Sequence, residues 1–311
     1  MNFIRRYYKT PLFACLFLSS LTAQSSPIAC FNTNIGNFCI ELFETQTPIT
    51  TANFLSYMNS DAYTKGIFHR SVPGFIVQGG GFKIVDGANS KSLAQVSTFP
   101  PITNEFKLSN TRGTVAMAKI NGNPDSATSQ WFINLADNNQ GLRNLDTQNG
   151  GFTVFGRIIF DGMSVIDAIG NLPVTNLSAS LGRNLTETPT INYDGSNILV
   201  SNLVQIDHVT VTHTTGVFSE SALSFAVDIG TGTALAVNLK LIADSPAFIF
   251  ELDLTSIASL PSKPANIATF SSQNGQLHIP SVMINTTTQI NNVVMALTNA
   301  ETYQFTLLSY E

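Results

Sequence analysis

The chain has 311 residues, a net charge of −5 and only 11% charged residues. That length allows about two domains of roughly 150 residues each. A mildly acidic chain without a basic cluster gives no electrostatic reason to bind nucleic acid, and a hydrophobic share of 43% excludes global disorder.

The first residues read as a targeting segment. Arg5, Arg6 and Lys9 precede the apolar run "PLFACLFLSSL" (Pro11 to Leu21), and Ala23 offers a small residue for cleavage. The pattern predicts a secretory signal over residues 1–23. The run is too short for a membrane span, so no stable membrane insertion is expected after cleavage. The protein is expected to be exported, to the periplasm or fully secreted.

Signal removal leaves two cysteines, Cys30 and Cys39, flanking "FNTNIGNF". The Asn-Ile-Gly-Asn centre reads as a hairpin turn. If it centres between Asn34 and Ile35, the cysteines sit opposite each other, and export would permit a disulfide. A one-residue shift puts them on opposite faces, where they would be two small buried residues.

In chain order, "PIACFNTN" and "NFCIELFE" form this hairpin. "TPITTANFLSYMNS" predicts a helix with Thr47 as N-cap and Pro48 at the first helical position. Ala52, Leu55 and Met58 would share its inner face, with Phe54 beside them. Strands are expected in "GIFHRSV", "GFIVQGGGF", "RGTVAMAKI", "SQWFINLAD" and "FTVFGRII". "DGMSVIDAIGNL" predicts a second helix capped by Asp161. Residues 172–197 read as a surface excursion before a last strand, "NLVQIDHVTV". Many short strands and two helices argue for an antiparallel barrel or sandwich. A boundary falls near residues 212–218. Beyond it, runs such as Leu235, Val237, Leu239 and Leu241 alternate at period two, predicting a small all-β module over residues 218–311 without an evident activity.

Several motifs together resemble the cyclophilin family of peptidyl-prolyl cis–trans isomerases: "FHRSVPGFIVQGG" from Phe68, "NEF" from Asn104, "RGTVAMAK" from Arg112, "SATSQWFINLADN" from Ser126 and "GFTVFGRIIFDGM" from Gly151. The resemblance covers roughly residues 29–213. It implies a mainly β fold, an eight-stranded antiparallel barrel capped by two helices, with the small all-β domain following. The implied partners are proline-containing segments of unfolded or folding proteins, and the implied role is assistance to their folding. The sequence is silent on oligomeric state.

Elementary chemistry agrees with that activity. Amide resonance sets a barrier of about 18–20 kcal/mol to rotation, so X–Pro exchange takes tens to hundreds of seconds. No bond breaks, so no nucleophile, metal or cofactor is expected. The transition state is a twisted amide whose nitrogen regains a lone pair. A donor to that nitrogen and a dry pocket for the prolyl group both favour it over the planar ground state. Arg70, at the family's catalytic position, carries a fixed fork of charged donors; its bland alternative is a surface salt bridge.

By family position Phe75, Ile76, Phe132, Leu145 and Phe152 would wall the pocket, although their pattern equally fits barrel core. Gln78 and Gln130 would hydrogen-bond the substrate backbone or hold Arg70. Ala118 and Lys119 would line the peptide groove with backbone groups for the substrate. The resemblance thus makes Arg70, Phe75 and Gln78 the catalytic set. Two positions depart from the pattern. Asn144 stands where many members carry an aromatic pocket wall, which implies weak binding of cyclosporin-type macrocycles. Phe152 stands where His or Tyr is common.

Other chemistries find little support. His69, His208, His213 and His278 show no metal spacing, and His69 reads as a packed barrel residue. "VQGGGF" lacks the Lys-Ser/Thr of a phosphate loop; its glycines would let strands approach closely. The sequons at Asn176, Asn184 and Asn285 are expected by chance. The competing reading is a non-catalytic cyclophilin barrel that binds peptides or serves as a scaffold, with the C-terminal module setting location or partner.

Overall fold

The computed structural model describes residues 27–86, 91–181, 185–230, 233–260 and 267–311. The expected signal at 1–23 and the Asn184 sequon lie outside them. The strands β1 (Pro27–Thr33) and β2 (Asn37–Leu42) are followed by helix α1 (Pro48–Asn59). Then come β3 (Arg70–Val72), β4 (Ile76–Gly79), the hairpin of β5 (Phe82–Asp86) and β6 (Lys91–Gln95), β7 (Thr114–Met117), β8 (Trp131–Asn134) and β9 (Val154–Ile159). Helix α2 (Gly162–Gly170) leads into the short pieces β10 (Val174–Thr175), α3 (Ser178–Leu181) and β11 (Thr188–Pro189). β12 (Ile206–His213) follows.

Among the described residues, eight strands form one antiparallel sheet in the order β12-β1-β2-β9-β7-β8-β4-β3. It curls into a barrel because the chain ahead of β3 meets the chain ahead of β12: Phe68 N–H donates to Val204 C=O at 3.0 Å and Ile206 N–H to Gly66 C=O at 2.8 Å. Trp131 sits at the centre, fully buried, with the rings of Phe31, Phe68, Phe54 and Tyr63 at 5.2, 5.7, 6.0 and 6.1 Å. Gly80, at φ +79°, lets the chain pass this ring: a Cβ there would collide with the Ser129 carbonyl and with Trp131.

The hairpin turn centres between Asn34 and Ile35. Cys30 and Cys39 are directly opposed and disulfide-bonded, with Cα atoms 4.1 Å apart.

Helix α1 departs from its expected details. Thr47 Oγ1 donates to Phe43 C=O and caps nothing. The first-turn donors go instead to the distant Glu105 carboxylate, which accepts from Ile49 N–H, Thr50 N–H and Thr50 Oγ1 at 3.3, 2.7 and 2.8 Å. A carboxylate there also complements the helix dipole. The buried face carries Thr50, Thr51, Asn53, Phe54, Tyr57 and Met58; Ala52 is exposed and Leu55 half-buried.

Residues 172–197 do more than loop over the surface. Leu177 and Leu185 join Ile67, Ile84, Leu93 and Leu203 in a second apolar core beneath the β5–β6 hairpin. Scattered leucines carry no period, so the packing left no trace in the pattern.

The last part of the chain comprises β13 (Gly216–Ser219), β14 (Ala222–Asp228), β15 (Ala234–Ala243), β16 (Ile249–Leu252), β17 (Ala258–Ser259), β18 (Ala268–Ser271), β19 (Gln276–Met283), β20 (Gln289–Asn299) and β21 (Gln304–Ser309). β14 pairs with both β15 and β18, so the ring β14-β18-β19-β20-β21-β16-β15 closes. Its core includes Phe225, Leu239, Phe250, Ile279 and Met295. Thr214 and Thr215, between β12 and β13, are buried. Val217 and Met283 pack on Ile28, Cys39 and Ile159 of the barrel, and Phe160 N–H donates to Ser219 Oγ at 2.7 Å. The two units therefore meet through a packed joint.

Candidate active site

Strand register builds the site. Arg70 pairs with Gln78, Gln78 with Phe132, Phe132 with Ala116, and Ala116 with Val154. Directly opposed residues share a face of a sheet, so this row runs across β3, β4, β8, β7 and β9 on the outside of the barrel. The alternate row, Ser71, Val77, Ile133 and Val115, faces inward.

The outer row belongs to its own apolar cluster. Ile76, Ala116, Phe132, Leu145 and Val154 are buried there, with Phe75, Ala118 and Phe152 half-buried against them. The structure thus separates this outer cluster from the core: Phe132 faces out while its neighbours Trp131 and Ile133 face in. The Phe152 ring stands edge-on to Phe132 at 5.8 Å.

At one end of the row lies a polar chain. Gln78 Nε2 donates to Gln130 Oε1 at 2.8 Å, and Gln78 Oε1 faces Arg70 Nη1 at 3.4 Å. Gln130 in turn bonds His69. Burial pushes the His69 imidazole down to about 4, with the Gln130 hydrogen bond opposing and the Arg70 charge assisting. His69 is therefore neutral near pH 7, packed against Phe82 at 5.3 Å, in keeping with a structural histidine. Arg70 is half-exposed, and its Nε donates to Glu187 Oε2 at 2.7 Å. The salt bridge weighed as the alternative to a catalytic role is thus present, but it occupies Nε and leaves the Nη2 group without a bond to Glu187. With both side chains near 40% exposed (38% and 41%), such a pair adds about 0–1 kcal/mol of stability. A cavity of about 240 Å³ opens here, lined by His69, Arg70, Gln78, Phe82, Gln130, Thr186 and Glu187.

Two of the expected groove residues carry contacts within the protein. Ala118 N–H is committed to Gln130 C=O at 2.9 Å, so it is not a donor for substrate. Lys119 Nζ folds back to donate to Asn149 and Gly151 carbonyls at 2.8 and 2.7 Å and lies 4.9 Å from the Phe152 ring centre. Burial lowers its pKa, with Asp125 opposing. Asn144 does not face the pocket as a wall: its Oδ1 accepts from Asp146 N–H at 3.0 Å. The neighbouring Arg143 guanidinium stacks over Phe75 at 4.7 Å instead.

Sequence reasoning missed the network behind the pocket. Asn138 Nδ2 donates to Phe75 C=O and to Asn134 Oδ1, at 2.9 and 2.8 Å, while its own carbonyl accepts from Leu145 N–H at 2.7 Å. Asn110 Nδ2 donates to Phe152 C=O and to Asp146 Oδ1, each at 3.0 Å. Burial acts to raise the Asp146 carboxyl, but hydrogen bonds from Ser109 and Asn110 outweigh it and hold the group below its ordinary range. These buried amides fix three of the expected pocket residues through their backbones. Their sequence signal is no more than Asn134 and Asn138 within "SATSQWFINLADN" and Asn110 in "LSNTR", a residue type that the strand pattern treats as surface.

The chain is similar to known proteins over its first part. The family model for cyclophilin type peptidyl-prolyl cis-trans isomerase/CLD matches residues 28–192. A peptidyl-prolyl cis-trans isomerase of Acinetobacter baylyi is 44% identical over 160 residues, 51% of this chain and 79% of that protein. Peptidyl-prolyl cis-trans isomerase A of Dickeya dadantii is 39% identical over 173 residues, 54% of this chain and 84% of its own. Peptidyl-prolyl cis-trans isomerase B of Escherichia coli is 42% identical over 142 residues, 45% of this chain and 81% of its own.

Proposed function

The chain belongs to the cyclophilin-type peptidyl-prolyl cis–trans isomerase family, and we propose that the row from Arg70 to Phe132 isomerises X–Pro bonds of exported proteins and so assists their folding. The observation that carries this reading is the register itself. One line of paired residues holds a guanidinium at one end and a dry aromatic floor two strands away, about 10 Å at roughly 4.8 Å per strand.

A prolyl ring resting on Phe132, Ile76 and Leu145 leaves water behind. The planar amide, the more polar form, loses more by that transfer than the twisted one. The Nη groups of Arg70 reach toward the same floor and donate to the prolyl nitrogen once its lone pair returns. A hydrogen bond from a charged donor is worth about 1.5–3 kcal/mol, so donor and floor share the acceleration. Neutral His69 behind the site moves no proton, as a reaction without bond cleavage requires none. Gln78 and Gln130 hold the donor end; they also face the groove where a peptide backbone would pass.

Export is supported by the N-terminal charge and hydropathy pattern and by the Cys30–Cys39 disulfide, since such bonds persist in oxidising compartments. Residues 218–311 are read as an appended unit that accompanies the barrel. Protease-coupled isomerisation of a proline tetrapeptide by the full mature chain tests the activity: a rate above background is expected, and its absence would overturn the reading. Fractionation of expressing cells tests export; protein retained in the cytoplasm with its first 23 residues would contradict it.

A further inference from the structure

We infer that Glu187 is a positioning residue for Arg70, holding its guanidinium so that the Nη donors face the prolyl site. The inference rests on the catalytic reading of Arg70 given above and adds a residue that neither the signature motifs nor the strand pattern marks.

Glu187 lies 117 positions beyond Arg70 in sequence, in the irregular segment before β12. Its place is fixed twice. Its backbone carbonyl accepts from Ser71 N–H at 2.7 Å, and next to it Thr188 Oγ1 donates to His69 C=O at 3.0 Å. Residues 187–189 thus cover the outer edge of β3, the end strand of the sheet order. The leucine core around Leu177 and Leu185 anchors the segment from below. From that edge Glu187 Oε2 grips Nε of Arg70 at 2.7 Å, while Gln78 on the opposite side reaches Nη1 only at 3.4 Å.

The row across the sheet therefore begins with Glu187, followed by Arg70, Gln78 and Phe132. A guanidinium is planar, so fixing Nε from the outer edge directs the Nη end inward, toward the floor. Without this grip, a half-exposed arginine rotates among several side-chain conformers, and only some present Nη to the prolyl nitrogen. The pair's small worth to stability at this exposure leaves orientation as its consequence.

The test measures kcat, KM and Tm of full-length mature E187A, E187Q and R70A and of the double variant R70A/E187A, with the proline tetrapeptide as substrate. We expect kcat of E187A to fall severalfold, toward the roughly 100-fold that a 1 Å misplacement can cost, with KM and Tm close to the parent. E187Q keeps an acceptor at the same reach and recovers most of the loss. In the R70A background, E187A has no further effect. An E187A enzyme with parental kcat overturns the inference, as does an equal loss in the R70A background, which would mark Glu187 as merely structural. If R70A itself turns over like the parent, the catalytic reading of Arg70 falls and the role of Glu187 falls with it. A dead R70A beside a fully active E187A removes the inference alone.

Discussion

Arg70 and Phe132 lie on one line of strand pairs, joined only by Gln78 between them. The proposed donor and the Phe132 part of the proposed floor are thus set by register, whereas Leu145 joins the floor from a loop. A slip of one residue in β3 or in β8 would turn Arg70 or Phe132, respectively, toward the barrel core.

The amide network behind the floor is the first place to test this rigidity. Asn138→Ala leaves Asn134 Oδ1 without its donor and the Phe75 carbonyl with Leu135 N–H alone. Unsatisfied buried groups cost about 1–3 kcal/mol. Urea unfolding should register that loss, and KM should rise as Phe75 loosens. Parental stability with parental KM would show that the network does not hold the pocket.

Acid stability should report His69. Its folded value, about 4, is below its ordinary value of 6.5, so the unfolded chain takes up the proton first as pH falls. Stability through this group is full above about pH 6.5, declines between 6.5 and 4, and levels off below; the total is roughly 3 kcal/mol. His69→Gln should flatten that window in a comparison of denaturation midpoints. Asp146, held below its ordinary range, contributes in the same direction but only at lower pH, where its carboxyl finally protonates. An unchanged slope between pH 6.5 and 4 in the His69 variant would contradict the assignment.

The disulfide joins a loop of nine-residue separation. Reducing it, or replacing both cysteines by serine, should lower unfolding free energy by about 2–3 kcal/mol on the chain-entropy account. Cys39 packs at the joint with Val217 and Met283, remote from the Arg70 row, so kcat/KM should stay within about twofold while stability falls. A loss of turnover on reduction would mean that the joint and the site are coupled.

The fold was legible where side chains repeat. The alternation showed a hairpin between Cys30 and Cys39 but left its register open between two placements, and the structure settles it with the cysteines opposed; Pro48 marked the start of α1. The pocket was less legible because β8 is buried on both faces; nothing in "WFIN" says that Phe132 faces out and Trp131 in. Contacts between distant, irregular segments were invisible. Glu105 replaces Thr47 as the cap of α1, and Glu187 reaches Arg70, because tertiary packing delivers them and no local period records it. Ala118 packs on the outer cluster, with its N–H committed to Gln130 C=O, a bond that no local period records either.

The most direct measurement is protease-coupled isomerisation by Arg70→Ala, beside its circular dichroism and melting curve. Removing one charged donor worth about 1.5–3 kcal/mol should lower kcat/KM roughly 10- to 150-fold, with the fold intact, since the Glu187 pair adds little stability. A folded Arg70→Ala enzyme that isomerises as fast as the parent would contradict the account.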